Sequence, residues 1–78
     1  MEIKILGTGC PKCKRLEQIA REAVDESGVA ADLTKVTDLD AIMAYPIVST
    51  PALVINEKVV CSGRLPRTAE VMDWIREA

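Results

Sequence analysis

The chain reads as an α/β protein with the element order β-α-β-α-β-β-α. Three observations predict this. An Ile-rich segment at the N-terminus runs into a glycine turn and then into a long stretch with helical periodicity. Two apolar runs, Ala52–Ile55 and Lys58–Cys61, flank Asn56-Glu57 as the strands of a hairpin would. A final apolar stripe at helical spacing closes the chain.

Glu2-Ile3-Lys4-Ile5-Leu6 forms the first strand, and Gly7-Thr8-Gly9 turns it. The helix that follows carries Leu16, Ile19, Ala20, Ala23 and Val24 at i, i+3, i+4, i+7 and i+8, which makes one apolar face. Pro11 suits its first position, where a missing N–H costs no helical hydrogen bond. Ser27-Gly28 ends it. Ala31–Val36 alternates and holds the β-favouring residues Leu33, Thr34 and Val36, so it reads as a second strand. Thr37 facing Asp40 resembles a capping pair for a short helix to about Ala44, with Leu39, Ile42 and Met43 inward. Pro46 stops it. After the hairpin, Gly63 breaks the fourth strand. Pro66 or Thr68 opens the last helix, with Val71, Trp74, Ile75 and Ala78 as its stripe.

The 78 residues fit one domain spanning 1–78, with no internal repeat or linker. A net charge of -2 from 10 basic and 12 acidic residues does not suit a nucleic-acid surface. Its most apolar stretch, Ala41 to Ile55, is interrupted by Pro46, Ser49, Thr50 and Pro51, so no membrane span is expected. The N-terminus lacks the pattern of an export signal, so a reducing cytoplasm is the expected compartment. Three cysteines are an odd count, unlike a secreted disulfide framework, and a close pair in that setting points to redox or metal chemistry.

That pair is Cys10-Pro11-Lys12-Cys13. On a helical first turn, positions i and i+3 are neighbours, close enough for a disulfide. Cys10 stands at the helix N-terminus, where unpaired N–H groups and the macrodipole favour an anion. A free thiol has a pKa of about 8.5, and pairs of this kind are lowered to roughly 3.5–7.5. The expectation is an exposed, nucleophilic Cys10 and a more buried, resolving Cys13. Lys12, Lys14 and Arg15 cluster at the helix start, whereas Glu17, Glu22, Asp25 and Glu26 come later. That order opposes the helix dipole. It would stabilise a thiolate or attract acidic partners; the alternative is a set of solvated residues with no role.

Ser49-Thr50-Pro51-Ala52 leads into the third strand, an awkward place for proline unless it serves a turn, and a cis bond is one candidate. Together, Gly-Thr-Gly-Cys-Pro-Lys-Cys and Ser-Thr-Pro-Ala-Leu-Val-Ile-Asn resemble the thioredoxin/glutaredoxin superfamily along essentially the whole chain, most closely the short glutaredoxin-sized thioredoxins of archaea and bacteria. The resemblance implies a thioredoxin fold, a four-stranded mixed sheet flanked by three helices. It implies a thiol–disulfide oxidoreductase with a redox-active Cys10–Cys13 disulfide and no further cofactor. It also implies a cis Thr50–Pro51 bond against the pair, in a loop that offers backbone hydrogen bonds to substrate and shields the dithiol from metals. Gly63 would fall near the site. Pro11, Lys12, Thr50, Pro51 and Gly63 are then the expected substrate-binding residues. Protein disulfides and an upstream reductase are the expected partners of a monomer.

The sequence departs from both branches of that superfamily. Gly9 precedes the pair where thioredoxins usually carry Trp. Lys4 stands six residues before Cys10, where many carry a buried acid. Lys12 and Ser62-Gly63-Arg64 replace the Tyr and Gly-Gly of glutaredoxins, so glutathione is not the expected partner. Cys61 reads as a small buried hydrophobe, the alternative being a regulatory or intermolecular thiol. Tyr45 and Trp74 read as core or rim aromatics, and Arg64 and Arg67 as solvated residues near Gly63. The rival chemistry is copper or zinc carriage by two thiolates, as in heavy-metal-associated domains. Those domains end in a strand, and this chain ends in a helical pattern. A structural zinc site would need four ligands, and there is no His.

Overall fold

In the computed structural model, which describes residues 1–47 and 49–78, the order is β1 (Glu2–Leu6), α1 (Pro11–Ser27), β2 (Asp32–Val36), α2 (Leu39–Met43), β3 (Ala52–Ile55), β4 (Lys58–Ser62) and α3 (Thr68–Glu77). The strands form one sheet in the order β2-β1-β3-β4. β1 and β2 are parallel, while β1–β3 and β3–β4 are antiparallel, so the sheet is mixed. This is the α/β thioredoxin fold.

Alternation along the central strands sorts the core into two faces. Ile3, Ile5, Leu53 and Ile55 meet Leu16, Ile19, Ala20 and Ala23 of α1 and Val71 and Ile75 of α3. Leu6, Ala52 and Val54 face the other way, toward Ile42 of α2. β3 is therefore buried at every position, which is why Ala52-Leu53-Val54-Ile55 is apolar throughout rather than alternating. A bulge sets Val54 opposite Val59 and Leu53 opposite Cys61. It leaves Val60 packed against the α1–α3 core, while Val59 packs on the α2 side.

The elements end on local chemistry. Gly28 caps α1 in the left-handed region at φ 69°, its N–H donating to Val24 O at 3.1 Å. Asn56 (φ 49°) and Glu57 (φ 67°) make the two-residue turn that strand twist favours. Asn56 also ties this turn to β1: its N–H donates to Glu2 O at 2.8 Å, and its Oδ1 accepts from Glu2 N at 3.0 Å.

The region around α2 differs from expectation. The helix starts at Leu39 and its cap is Asp38, whose carboxylate accepts from Ala41 N at 3.0 Å; Thr37 does not cap it. Ile42 alone is buried, whereas Leu39 is 59 % and Met43 71 % exposed. Five residues make little more than one turn, so a single side chain can point at the sheet. β2 begins at Asp32 rather than Ala31, and Ala78 lies exposed beyond α3.

A helix this short leaves part of its sheet face uncovered, and a polar cluster lies there. The Lys4 ammonium contacts the carboxylates of Glu57 and Glu2 (3.0 Å to Glu2) and donates to Tyr45 Oη at 2.9 Å. Glu57 first, then Tyr45 and Glu2, hold that ammonium far above the ordinary lysine range. Lys4 in turn pulls the Glu57 carboxyl below its usual value. These pairs are solvent-washed, so their part in stability is small and salt-sensitive.

At its far end β1 leaves the sheet through Gly7, whose N–H donates to Val36 O at 3.0 Å. A Cβ on Gly7 would collide with Cys13 Sγ. Gly7→Ala is expected to destabilise the fold by roughly 1–3 kcal/mol, the usual cost of overpacking, read as a lower denaturant midpoint; an unchanged midpoint would show that the sulfur yields freely. A second expectation concerns acid. Glu17, Glu57 and Glu70 are each held below the ordinary carboxyl value of 4.5, by Arg21, Lys4 and Arg64 in turn. A depressed carboxyl stabilises the fold above that value and ceases to do so once protonated. Thermal midpoints should therefore fall as pH drops below about 4.5, and Glu57→Gln should shallow that fall. A flat profile from pH 6 to pH 3 would contradict the assignment.

Candidate functional site

Register brings the site together at one end of the sheet. Leu6 pairs with Val36 and with Ala52, and Ala52 pairs with Ser62. One step further on, Gly7 comes beside Pro51 and Pro51 beside Gly63. The Gly63 N–H donates to Pro51 O at 2.9 Å, which continues the ladder past the last strand pair. α1 rises from this same edge, because only Thr8, Gly9 and Cys10 separate Gly7 from its first residue.

Cys10 is the N-cap of α1, extended at φ -66° and ψ 164°. Its sulfur accepts the Cys13 N–H at 3.3 Å, and its carbonyl accepts the Lys14 N–H at 3.1 Å. Ser, Thr, Asp or Asn usually supplies an oxygen at this position. Here a sulfur takes its place, so a donor that the helix leaves unpaired points at it. Pro11 occupies the first helical position without losing a hydrogen bond. Cys10 and Cys13 are joined as a disulfide, with Cα atoms 5.1 Å apart. Cys10 is half-buried and Cys13 only 5 % exposed. Pro11 and Lys12 lie exposed between them.

The Thr50–Pro51 bond is cis. Thr50 is exposed, while Pro51 is fully buried. Gly63 sits at φ +76°, in the left-handed region that glycine tolerates. A Cβ there would strike Ser49 Oγ. Cys10, Pro11, Lys12, Cys13, Thr50, Pro51 and Gly63 thus all stand at this end of the sheet.

Two residues at the site were not singled out from sequence. Gly7 seats the Cys13 sulfur, yet in sequence it reads only as part of a glycine turn. Ser49 packs against Gly63, and nothing local marks it. Lys4 is turned to the α2 face and held by Glu2, Glu57 and Tyr45. The carboxylate on the Cys13 side is Glu17, one helical turn on. It lines a cavity of about 80 Å³ together with Cys13, Gly7, Lys35 and Thr37. Glu17 accepts from Arg21 at 2.8 Å and lies 3.6 Å from Lys35; Arg21 first, and Lys35 with it, keep its carboxyl charged.

Cys61 is free and buried in the α1–α3 core, its thiol 3.6 Å from Arg64 O. Burial pushes that thiol up, away from the reactive form. Among the described residues no three His, Cys, Asp or Glu side chains converge as metal ligands would. No helix there is long and apolar enough to cross a membrane.

Residues 1–76 match the sequence model of a family described as the thioredoxin domain. A thioredoxin of Methanocaldococcus jannaschii is 35% identical over 74 residues, covering 95% of this chain and 85% of the relative. A thioredoxin of Methanothermobacter thermautotrophicus is 37% identical over 71 residues, covering 91% of this chain and 92% of the relative. A bonded cysteine pair at the cap of the first helix, set in this sheet and matched over nearly its whole length, places the chain in the thioredoxin family.

Proposed function

We propose that the chain reduces protein disulfides through the Cys10-Pro11-Lys12-Cys13 dithiol and a mixed-disulfide intermediate. Thiol–disulfide oxidoreductase activity follows from membership of the family and from the bonded pair. The observation that supports the finer assignment is the unequal setting of the two sulfurs. Cys10 reaches solvent and accepts a helix N–H, whereas Cys13 is enclosed against Gly7. An anion at Cys10 is favoured by that N–H and by the helix dipole. Cys10 is thus the nucleophile and Cys13 the resolving thiol.

The reaction balances with no outside reagent beyond the two thiols. The Cys10 thiolate attacks one sulfur of the substrate disulfide and expels the other as a thiolate, which takes a proton from solvent. Cys13, having lost its own proton, attacks Cys10 Sγ. The Cys10–Cys13 bond forms and the second substrate thiol leaves. Two electrons pass to the substrate. An upstream reductase must return them, since nothing in the chain supplies electrons.

Thr50, Pro51 and Gly63 border the substrate. Thr50, exposed just before Pro51, would pair with an extended segment of the substrate. Pro11 and Lys12 contact the substrate from α1. The chain acts as one domain of residues 1–78, as a monomer in a reducing cytoplasm, with no cofactor besides its disulfide.

Cys10→Ser should abolish reduction of insulin disulfides by the dithiothreitol-reduced protein. Cys13→Ser should instead accumulate a covalent Cys10 adduct, visible by mass and released by excess thiol. Limiting iodoacetamide at pH 7 should label Cys10 of the reduced protein first. Labelling of Cys13 alone would reverse the two roles, and tight stoichiometric Cu(I) binding without exchange activity would contradict the reading.

A further inference from the structure

Half of the basic side chains have carboxylate partners, and the rest are not scattered evenly. Lys4, Arg21, Lys35, Arg64 and Arg76 each hold an Asp or Glu. Among the described residues Lys12, Lys14, Arg15, Lys58 and Arg67 hold none. Lys58 lies at the hairpin turn, the opposite end of the sheet from the dithiol. Lys12, Lys14 and Arg15 lie at the dithiol end, on the first turns of α1, while Arg67 stands at the start of α3, where Thr68 meets Glu22 of α1. All four are exposed.

This placement works against the fold. The first turn of α1 carries no acid and its last turn no base, the reverse of what its dipole favours. Like charges three residues apart, as at Lys12 and Arg15, add repulsion on a helix surface. Arg15 meets only the neutral amide of Gln18, at 3.4 Å. The nearby acids are engaged or lie elsewhere. Glu17 is taken by Arg21 and Lys35, and Glu70 by Arg64 and the Arg67 N–H. Asp38 caps α2 and Asp40 lies in its first turn, and α2 packs on the sheet face away from α1.

We propose that this uncompensated basic rim is a docking surface for acidic segments of protein partners. Carboxylates flanking the partner's disulfide or cysteines would lie against the first turns of α1. The inference rests on the oxidoreductase reading above and adds the chemical class of the partner. Rim charges of this kind act on encounter rate and are screened over about 8 Å at physiological salt.

The test uses two synthetic peptides with one intramolecular disulfide each, identical except that Asp and Glu flank the cysteines in one and Lys and Arg in the other. Bis(2-hydroxyethyl) disulfide serves as a small neutral control. Each reduction moves two electrons and two protons from the dithiol to the probe, leaving Cys10–Cys13 bonded. With pre-reduced protein at low salt, the acidic peptide should be reduced about tenfold faster than the basic one, within the range expected for charge steering. The ratio should approach one in 0.5 M NaCl. Lys14→Glu/Arg15→Glu should invert it; the ratio cancels any change in the intrinsic reactivity of Cys10. Equal rates for the two peptides beside a reduced neutral control would overturn the inference while leaving the oxidoreductase reading intact. So would a preference that survives high salt or the double substitution. A neutral control that is not reduced at all would overturn the oxidoreductase reading, and the inference with it.

Discussion

Everything at the dithiol end depends on how α1 seats on the end of β1. Gly7 lets the helix come down until the Cys13 sulfur lies where a side chain would otherwise be. That seat fixes the first turn, and the first turn aims the Cys13 N–H at the Cys10 sulfur. A disulfide between these positions follows from ordinary helix geometry, while the helix terminus supplies the positive environment a thiolate needs. The apolar face of α1 holds the seat in place, with Leu16, Ala20 and Ala23 fully buried against the sheet. Burial of this kind contributes about 25 cal/mol per Å² of apolar area, which outweighs the small adverse dipole energy of the basic first turn.

The sheet gives the site its second half. Because β3 runs antiparallel to β1, the residue before β3 arrives beside the residue after β1. Pro51 and Gly7 are therefore neighbours although they lie far apart in the chain. Gly63 joins them through β4, and its N–H binds Pro51 O. The opposite end is arranged differently. There Asn56 ties the hairpin turn to Glu2, and Lys4 gathers Glu2, Glu57 and Tyr45 over the face that α2 is too short to cover. Charge and function are thus separated along the sheet. Lys4 is neutralised far from the dithiol, whereas Lys12, Lys14 and Arg15, which hold no carboxylate, stand beside it.

Most of the fold was legible in the sequence because its signals are local. β1, α1 and β3 fall where the Ile-rich run, the 3.6-residue stripe and the apolar run place them. Asn56-Glu57 makes its turn through positive φ, and Gly28 ends α1 in the same region. The weak signals failed where no period can build up. α2 has five residues, too few to show which side faces in, so Leu39 and Met43 read as core and are exposed. Its cap reads one residue early in the sequence because Thr37 and Asp38 are both good acceptors, and only the backbone path chooses between them. The cysteine pair was plain from its spacing and its place before a helix. Gly7 and Ser49 were not, since each acts on a residue brought close only by the fold: Cys13 for one and Gly63 for the other.

The central claim is that the cap position of Cys10 makes it the activated thiol. The most direct measurement is a thiolate titration of the reduced Cys13→Ser protein, following absorbance near 240 nm against pH, with Cys10→Ser in parallel. Cys61 is common to both variants, so the difference between them isolates the pair. The account predicts a Cys10 midpoint well below the free-thiol value of about 8.5, near neutrality, and a Cys13 midpoint at or above that value. A Cys10 midpoint at or above 8.5, or a Cys13 midpoint below that of Cys10, would contradict it.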